Sequence, residues 1–214
     1  DVPVQLLSTD PDTFSVLLSG IVDSARSGPT HLAELKTTAE TFVLEEGADE
    51  IEVPFSWSEN GVTVQKVYRL QRGKYDINIE YRIQNNSDQI WRALSYLQVR
   101  HRFNPPKRSM FDIDSYSYHG AVVSDGNKYE KLDPDDLAET PVDQKHHFLL
   151  AAIPSPDAEY SYTARFVDGI IDVRSDGPAI TVGPGEEALL VENLFVGPKL
   201  QSELEVLAPS LPLT

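Results

Sequence analysis

His146 and His147 stand side by side in a chain of 214 residues without cysteine, which makes them the first place to look for a metal. Zinc takes four tetrahedral ligands drawn from Cys, His and carboxylates. Neighbouring residues on a strand point to opposite faces, so two adjacent imidazoles cannot easily share an ion. No spaced His or Glu cluster supplies the remaining ligands, and neither a metal nor a cofactor is expected. Acid–base chemistry on a sugar ring needs a general acid and a base placed across it. His101 and His119 are available, but 34 acidic residues make any such pairing uninformative. Asp125-Gly126-Asn127 opens like a calcium loop, yet that pattern needs Gly at the sixth position and Glu at the twelfth, where Glu130 and Asp136 stand. Asn85-Asn86-Ser87 matches a glycosylation acceptor and reads more simply as a turn. No catalytic residue is expected.

The remaining candidate is ionic. Arg100, His101 and Arg102, followed by Lys107 and Arg108, form the one basic cluster in a chain of net charge −16. The cluster either balances the local acidic surface or docks an acidic partner or lipid headgroups. It enters a loop-rich span, 97–143, and loops on a rigid scaffold often carry recognition. The overall charge excludes a nucleic-acid binder, because phosphates need Lys and Arg to displace their counterions. It also argues against lying flat on an anionic leaflet, and its simplest effect is solubility. The lack of cysteine excludes disulfides, Cys-ligated zinc, iron–sulfur centres and thiol catalysis. No apolar run approaches the roughly 18 residues that span a bilayer. No signal-peptide pattern opens the chain and Asp1 is not a natural start, so a piece of a longer protein is expected.

The elements that must position these residues are strands. Ile51, Val53, Phe55 and Trp57 alternate with Glu52, Pro54 and Ser56; Tyr75, Ile77, Ile79, Tyr81 and Ile83 alternate with polar residues; Tyr160, Tyr162, Ala164 and Phe166 repeat the pattern. Period two means half-buried strands with one face to a core. Strands are predicted over 4–7, 14–21, 41–45, 50–57, 62–71, 74–85, 89–101, 116–123, 147–153, 159–167, 170–174, 178–182 and 187–196. Asn60-Gly61 and Arg72-Gly73 read as hairpin turns, and Ser124-Asp125-Gly126 as a further turn. Segment 30–36 offers a helical turn, while 104–114 and 124–146 read as long loops. Trp57 and Trp91 fall inside strand patterns and are expected in the core. Without a linker, the expectation is all-β: one large antiparallel β-sandwich over 1–214, with a short C-terminal α-helix near 198–207. Pro198 suits a first helical turn, Leu200, Leu204 and Leu207 recur at i, i+4, i+7, and Pro209 stops the helix.

Val196-Gly197-Pro198-Lys199 with Gln201, and the exit from Ala208-Pro209 to Leu213-Thr214, resemble a strand-to-helix junction of the YidC membrane-protein insertase family of Gram-negative bacteria. Thr41–Ala48 with Val53-Pro54, Tyr68–Tyr75, Ile83–Asn85, Lys128–Lys131 and Ala152–Pro154 follow the same family in order along nearly the whole chain. The resemblance implies the large periplasmic domain, a galactose-mutarotase-like supersandwich that is not an enzyme. It implies that the full-length protein is integral to the inner membrane and that this part lies on its periplasmic face. It also implies contact of span 97–143 with a SecF-like accessory subunit of the Sec translocon, and possible contact with nascent membrane-protein segments. The final helix would then cover a sheet face, set the angle at which the domain meets the membrane core, or do both. One departure stands out: relatives carry Gly-Trp ahead of the Ala152-Ile153-Pro154 segment, where this chain reads Gln144–Leu150 without Trp. A carbohydrate-binding or mutarotase-like sandwich is the alternative reading. It predicts solvent-facing aromatic residues with convergent carboxylates.

Overall fold

A strand that is apolar on one face must bury that face against another layer. In the computed structural model, which describes residues 7–25, 27–103, 121–124, 129–132, 148–153 and 158–198, the strands supply that layer for each other. Among the described residues there are twelve strands and no helix: β1 Ser15–Asp23, β2 Glu50–Glu59, β3 Val62–Gln71, β4 Asp76–Asn85, β5 Trp91–Arg102, β6 Ala121–Ser124, β7 Tyr129–Leu132, β8 Phe148–Ile153, β9 Ser161–Val167, β10 Ile170–Asp176, β11 Ile180–Val182 and β12 Glu187–Pro198. Sheet A has the order β1-β5-β10-β9, with β11 continuing along β5. Sheet B has the order β2-β3-β4-β12-β8, and β6 and β7 form a separate hairpin. All the pairings are antiparallel.

The core lies between the two sheets. Ile21, Ala93, Leu97 and Val182 of sheet A meet Val62, Val64, Ile79, Tyr81, Ile83 and Leu190 of sheet B. The inward parity of β4 is the one the alternation assigns, with Ile79, Tyr81 and Ile83 buried and Glu80 and Arg82 turned outward. On the outer face of sheet B, Arg69 pairs with Glu50, Glu52 and Glu80, and Arg82 with Glu52 and Glu80, at 2.6–3.2 Å. This net lies on the same parity as Val67, whose side chain is fully buried.

Asn60 and Gly61 both have positive φ, 50° and 79°, and close a two-residue hairpin between β2 and β3, as the Asn-Gly signal requires. Asp168 and Gly169, at 52° and 74°, do the same between β9 and β10. Two of the edge strands, β2 and β1, have partners along part of their free sides. Ser56 of β2 exchanges backbone hydrogen bonds with Lys36, and Pro54, of the same parity, has no N–H to offer the free side. On β1, Ser15 pairs with Ser8, and the Ile21 N–H donates to the Pro29 carbonyl at 3.1 Å.

Several expectations need correction. Thr41–Glu45 is irregular despite its β-favouring residues and pairs with no strand among the described residues. The polar span expected as a loop over 124–146 contains β7, which pairs with β6. Arg72-Gly73 belongs to a four-residue connection rather than a two-residue one, since β4 starts at Asp76. Pro198 ends β12, paired with Phe148 of β8, rather than opening a helix. Of segment 30–36, one turn forms, with the Ala33 N–H on the Thr30 carbonyl at 3.0 Å. Strand 4–7 (save Leu7), segment 104–114, residues 116–120 of the strand expected over 116–123, His146 and His147, and the helix residues Leu200, Leu204 and Leu207 lie outside the described residues.

Candidate partner-docking surface

β5 is the central strand of sheet A, and its alternation decides what its cluster can do. Odd residues face the core; Tyr96, Gln98, Arg100 and Arg102 face outward. The register sets Arg174 of β10 opposite Gln98, and Asp172 opposite Arg100. Thr163 and Arg165 of β9 extend the same two rows. The sheet therefore brings Arg165 and Arg174 beside Arg100 and Arg102, although more than sixty residues separate them in sequence. Asp172 Oδ1 accepts from Gln98 at 2.6 Å, and its Oδ2 lies 3.7 Å from Arg100 Nε. Asp176 accepts from Arg174 at 2.6 and 2.8 Å. Arg102 donates its Nε to the Pro11 carbonyl, a neutral partner. At this end of the face four arginines stand against two aspartates, a local excess of two positive charges, in contrast to the outer face of sheet B, where two arginines meet three glutamates; Arg92 shares the outward parity further along β5.

One end of the same face is roofed. Tyr96 is buried under segment 28–31: its hydroxyl accepts from the His31 N–H at 2.9 Å and lies 2.6 Å from His31 Nδ1. The Arg174 guanidinium stacks on the Tyr96 ring at 4.0 Å. Loss of hydration, then the charges of Arg174, Arg100 and Lys66, hold His31 below the usual imidazole range. Gly20 permits the roof, because a Cβ there would come within 2.8–2.9 Å of the Pro29 and Thr30 backbone.

A cleft of about 650 Å³ opens between segment 27–36 and the edge of β2. Lys36, Glu34, Glu59 and Trp57 are among the residues that line it. Trp57 therefore packs partly on the core and partly on the cleft, and is not fully buried. Trp91 is tied inward by its indole N–H, which donates to Asp23 Oδ2 at 3.1 Å. Burial acts to raise the Asp23 carboxyl, but hydrogen bonds from Ser27, Trp91 and the Gly28 backbone outweigh it and hold the group below the usual range.

Two polar ties cross the core. Lys66 of β3 is buried, and its Nζ donates to the Ser19 carbonyl at 3.0 Å and the Ser19 hydroxyl at 2.7 Å. It lies over the Tyr68 and Tyr81 rings at 5.0 and 5.6 Å. Glu192 of β12 is buried and accepts from the Ser95 hydroxyl of β5. Burial pushes its carboxyl up, the Ser95 bond pulls it back, and Asp176 raises it further. These buried groups serve each other, so they knit the sheets together rather than face a substrate.

Of the residues singled out in the sequence, Arg100 and Arg102 sit together on the outer face of β5; Lys107 and Arg108 lie outside the described residues. His101 is on the opposite, inward side of β5, so it is not part of that surface. Arg165 and Arg174 were not legible as members, because only strand pairing brings them there. Among the described residues no three His, Asp or Glu side chains converge on a metal-sized site.

The sequence matches the protein family described as the YidC periplasmic domain along residues 1–214. It is 34% identical over 238 residues to the membrane protein insertase YidC of Thioalkalivibrio sulfidiphilus (strain HL-EbGR7), covering 100% of this chain and 42% of that protein. It is 35% identical over 227 residues to the membrane protein insertase YidC of Methylococcus capsulatus (strain ATCC 33009 / NCIMB 11132 / Bath), covering 100% of this chain and 41% of that protein. The chain thus spans about two fifths of the length of the curated relatives it matches. Among solved structures it is similar to the GH36 alpha-galactosidase AgaA from Geobacillus stearothermophilus, with a TM-score of 0.39 and 12% identity over 84% of this chain and 30% of that one.

Proposed function

The chain belongs to the YidC periplasmic domain family, and from that membership we propose that it is the non-catalytic periplasmic module of a membrane-protein insertase of the bacterial inner membrane. It acts as a docking module for a SecF-like accessory subunit of the Sec translocon, and nascent membrane-protein segments pass beside it. The observation that supports docking is the outer face of sheet A: span 97–143 begins on β5, and Arg100 and Arg102 stand there on a rigid central strand. In this reading residues 1–214 are one unit, and Leu200, Leu204 and Leu207 form the helix that leads from it to the membrane core.

Removing the whole span 97–143 cannot test this, because Leu97 is a core residue in the central strand. A photo-crosslinking side chain in place of Gln98 or Val167, both beside the arginines, in the full-length insertase in its own membranes, does test it. The expected result is an adduct with the translocon subunit. Adducts from neither position, with one from Leu32 at the cleft, would move docking off this face.

A second reading has one observation in its favour. Trp57 lines the cleft together with Glu34 and Glu59, the residue types that hold a sugar. Titration calorimetry with mono- and oligosaccharides separates the two: a ligand of millimolar affinity or better, lost in Trp57→Ala, supports carbohydrate binding.

A further inference from the structure

We infer that the outer face of sheet A is a receptor for an extended acidic polypeptide segment, held by Arg100, Arg102 and Arg165, with Arg174 beside them already forked onto Asp176. The inference rests on the docking reading above and names the chemistry of the partner.

The positive charges at this end of the face are all guanidinium, with Asp172 and Asp176 set among them. Arginine presents a planar fork that fits a carboxylate with two parallel hydrogen bonds, which lysine cannot do. The face already shows the pairing in miniature, since Asp176 takes both Nε and a terminal nitrogen of Arg174. Spacing then selects the shape of the partner. Arg100 and Arg102 are two residues apart on one strand, so their side chains repeat at roughly 6.7 Å. An extended segment with carboxylates at alternate positions repeats at the same interval on one of its faces. Val167, which is exposed, and Ile170 border the arginines and give the apolar stems of such a segment a place to lie.

An anionic membrane surface is the other partner for arginines, and the remaining charge disfavours it. The chain carries −16 overall and this end of the face +2, so the rest of the molecule is about eighteen charges negative. A lipid plane brings many anionic groups near that charge, while a single segment lying along the arginines stays mostly beyond its reach, because the interaction of exposed charges is screened beyond about 8 Å at physiological salt.

The test titrates the chain with a fluorescently labelled peptide of alternating Glu and Ser, about twelve residues long, and follows anisotropy at about 20 mM salt, where screening reaches beyond 10 Å. Binding is expected, with a fall of about tenfold or more on raising the salt to about 0.5 M. Arg100→Gln/Arg165→Gln is expected to weaken it about fivefold, each exposed pair accounting for a factor of about 1.4 to 5. Arg72→Gln, a surface arginine on the far hairpin, leaves binding unchanged. If the double variant melts early, Arg165→Gln alone carries the comparison, since its side chain is exposed and on the edge strand. Absence of peptide binding, or binding indifferent to these arginines, overturns the inference. So does retention on phosphatidylglycerol vesicles that is tighter than peptide binding and lost in the same variant. Crosslinks from Gln98 that persist in Arg100→Gln/Arg165→Gln would leave docking standing and remove only the acidic-segment chemistry; no crosslink at all would remove docking itself.

Discussion

Ser19→Ala removes one hydroxyl and tests whether Lys66 ties the two sheets together. Ser19 lies on β1 of sheet A, and Lys66 reaches it from β3 of sheet B with bonds of 2.7 Å to the hydroxyl and 3.0 Å to the carbonyl. That carbonyl is on the free side of β1, because Ile21, of the same parity, turns its N–H away from β5 to Pro29. A hydrogen bond to a charged group contributes about 1.5–3 kcal/mol, so Ser19→Ala should cost about 2 kcal/mol. Lys66→Met keeps the stem and drops the ammonium. It strands the Ser19 carbonyl at about 1–3 kcal/mol, the hydroxyl keeping the Tyr68 hydroxyl at 3.5 Å, but also relieves the desolvation of a buried charge, so its net cost is smaller than the lost bonds suggest. The coupling is the sharper quantity. In a Lys66→Met background Ser19→Ala should cost no more than about 0.5 kcal/mol, leaving an interaction energy near 1.5 kcal/mol. Urea unfolding of the four proteins measures it, and the single Ser19→Ala change should lower the melting temperature by about 4–8 °C for a chain of this size. Additive costs would mean that the lysine is held by packing alone and that the inter-sheet tie contributes nothing.

Three further outcomes follow from the same geometry. Glu192→Gln should flatten the dependence of stability on pH: a carboxyl held above its ordinary value of 4.5 binds its proton more tightly folded than unfolded, so its contribution declines as pH rises from there through the raised value. Relative to the parent, the variant should therefore gain stability between acidic and neutral pH in denaturant titrations, whereas parallel curves would contradict the burial argument. Gly20→Ala should cost about 1–3 kcal/mol by pressing a methyl into the Pro29 and Thr30 backbone, and should expose the Tyr96 ring, seen as quenchable tyrosine fluorescence. Gly61→Ala, at a φ of 79°, should cost about 1–2 kcal/mol in the same unfolding assay.

Strand alternation carries most of the fold, and β4 shows why. An Ile-Ile-Tyr-Ile series at every second residue can bury only one way, and Ile79, Tyr81 and Ile83 are buried on one face, while Tyr75 ahead of the strand stays exposed. Where local pattern failed, the missing quantity was a partner. Thr41–Glu45 has strand-forming residues but pairs with no strand among the described residues, while the polar residues of Tyr129–Leu132 do pair with β6. Lys66 sits at an inward position of an otherwise apolar series, Val62, Val64 and Tyr68, and only the packed sheets reveal Ser19 waiting opposite. The docking face was half legible. Arg100 and Arg102 are neighbours in sequence, but Arg165 and Arg174 join them through the β5–β10–β9 pairing, a long-range fact that no local spacing contains.

Arginine-selective dicarbonyl labelling, read by mass spectrometry, tests the docking face most directly. In the isolated chain Arg100 and Arg165 should react readily, while Arg69 and Arg82, each engaged by two or more glutamates, should react slowly. In the full-length insertase within native membranes, Arg100 and Arg165 should become protected while Arg72 stays reactive. Equal labelling of Arg100 and Arg165 in both settings would contradict the assignment of this face to a partner.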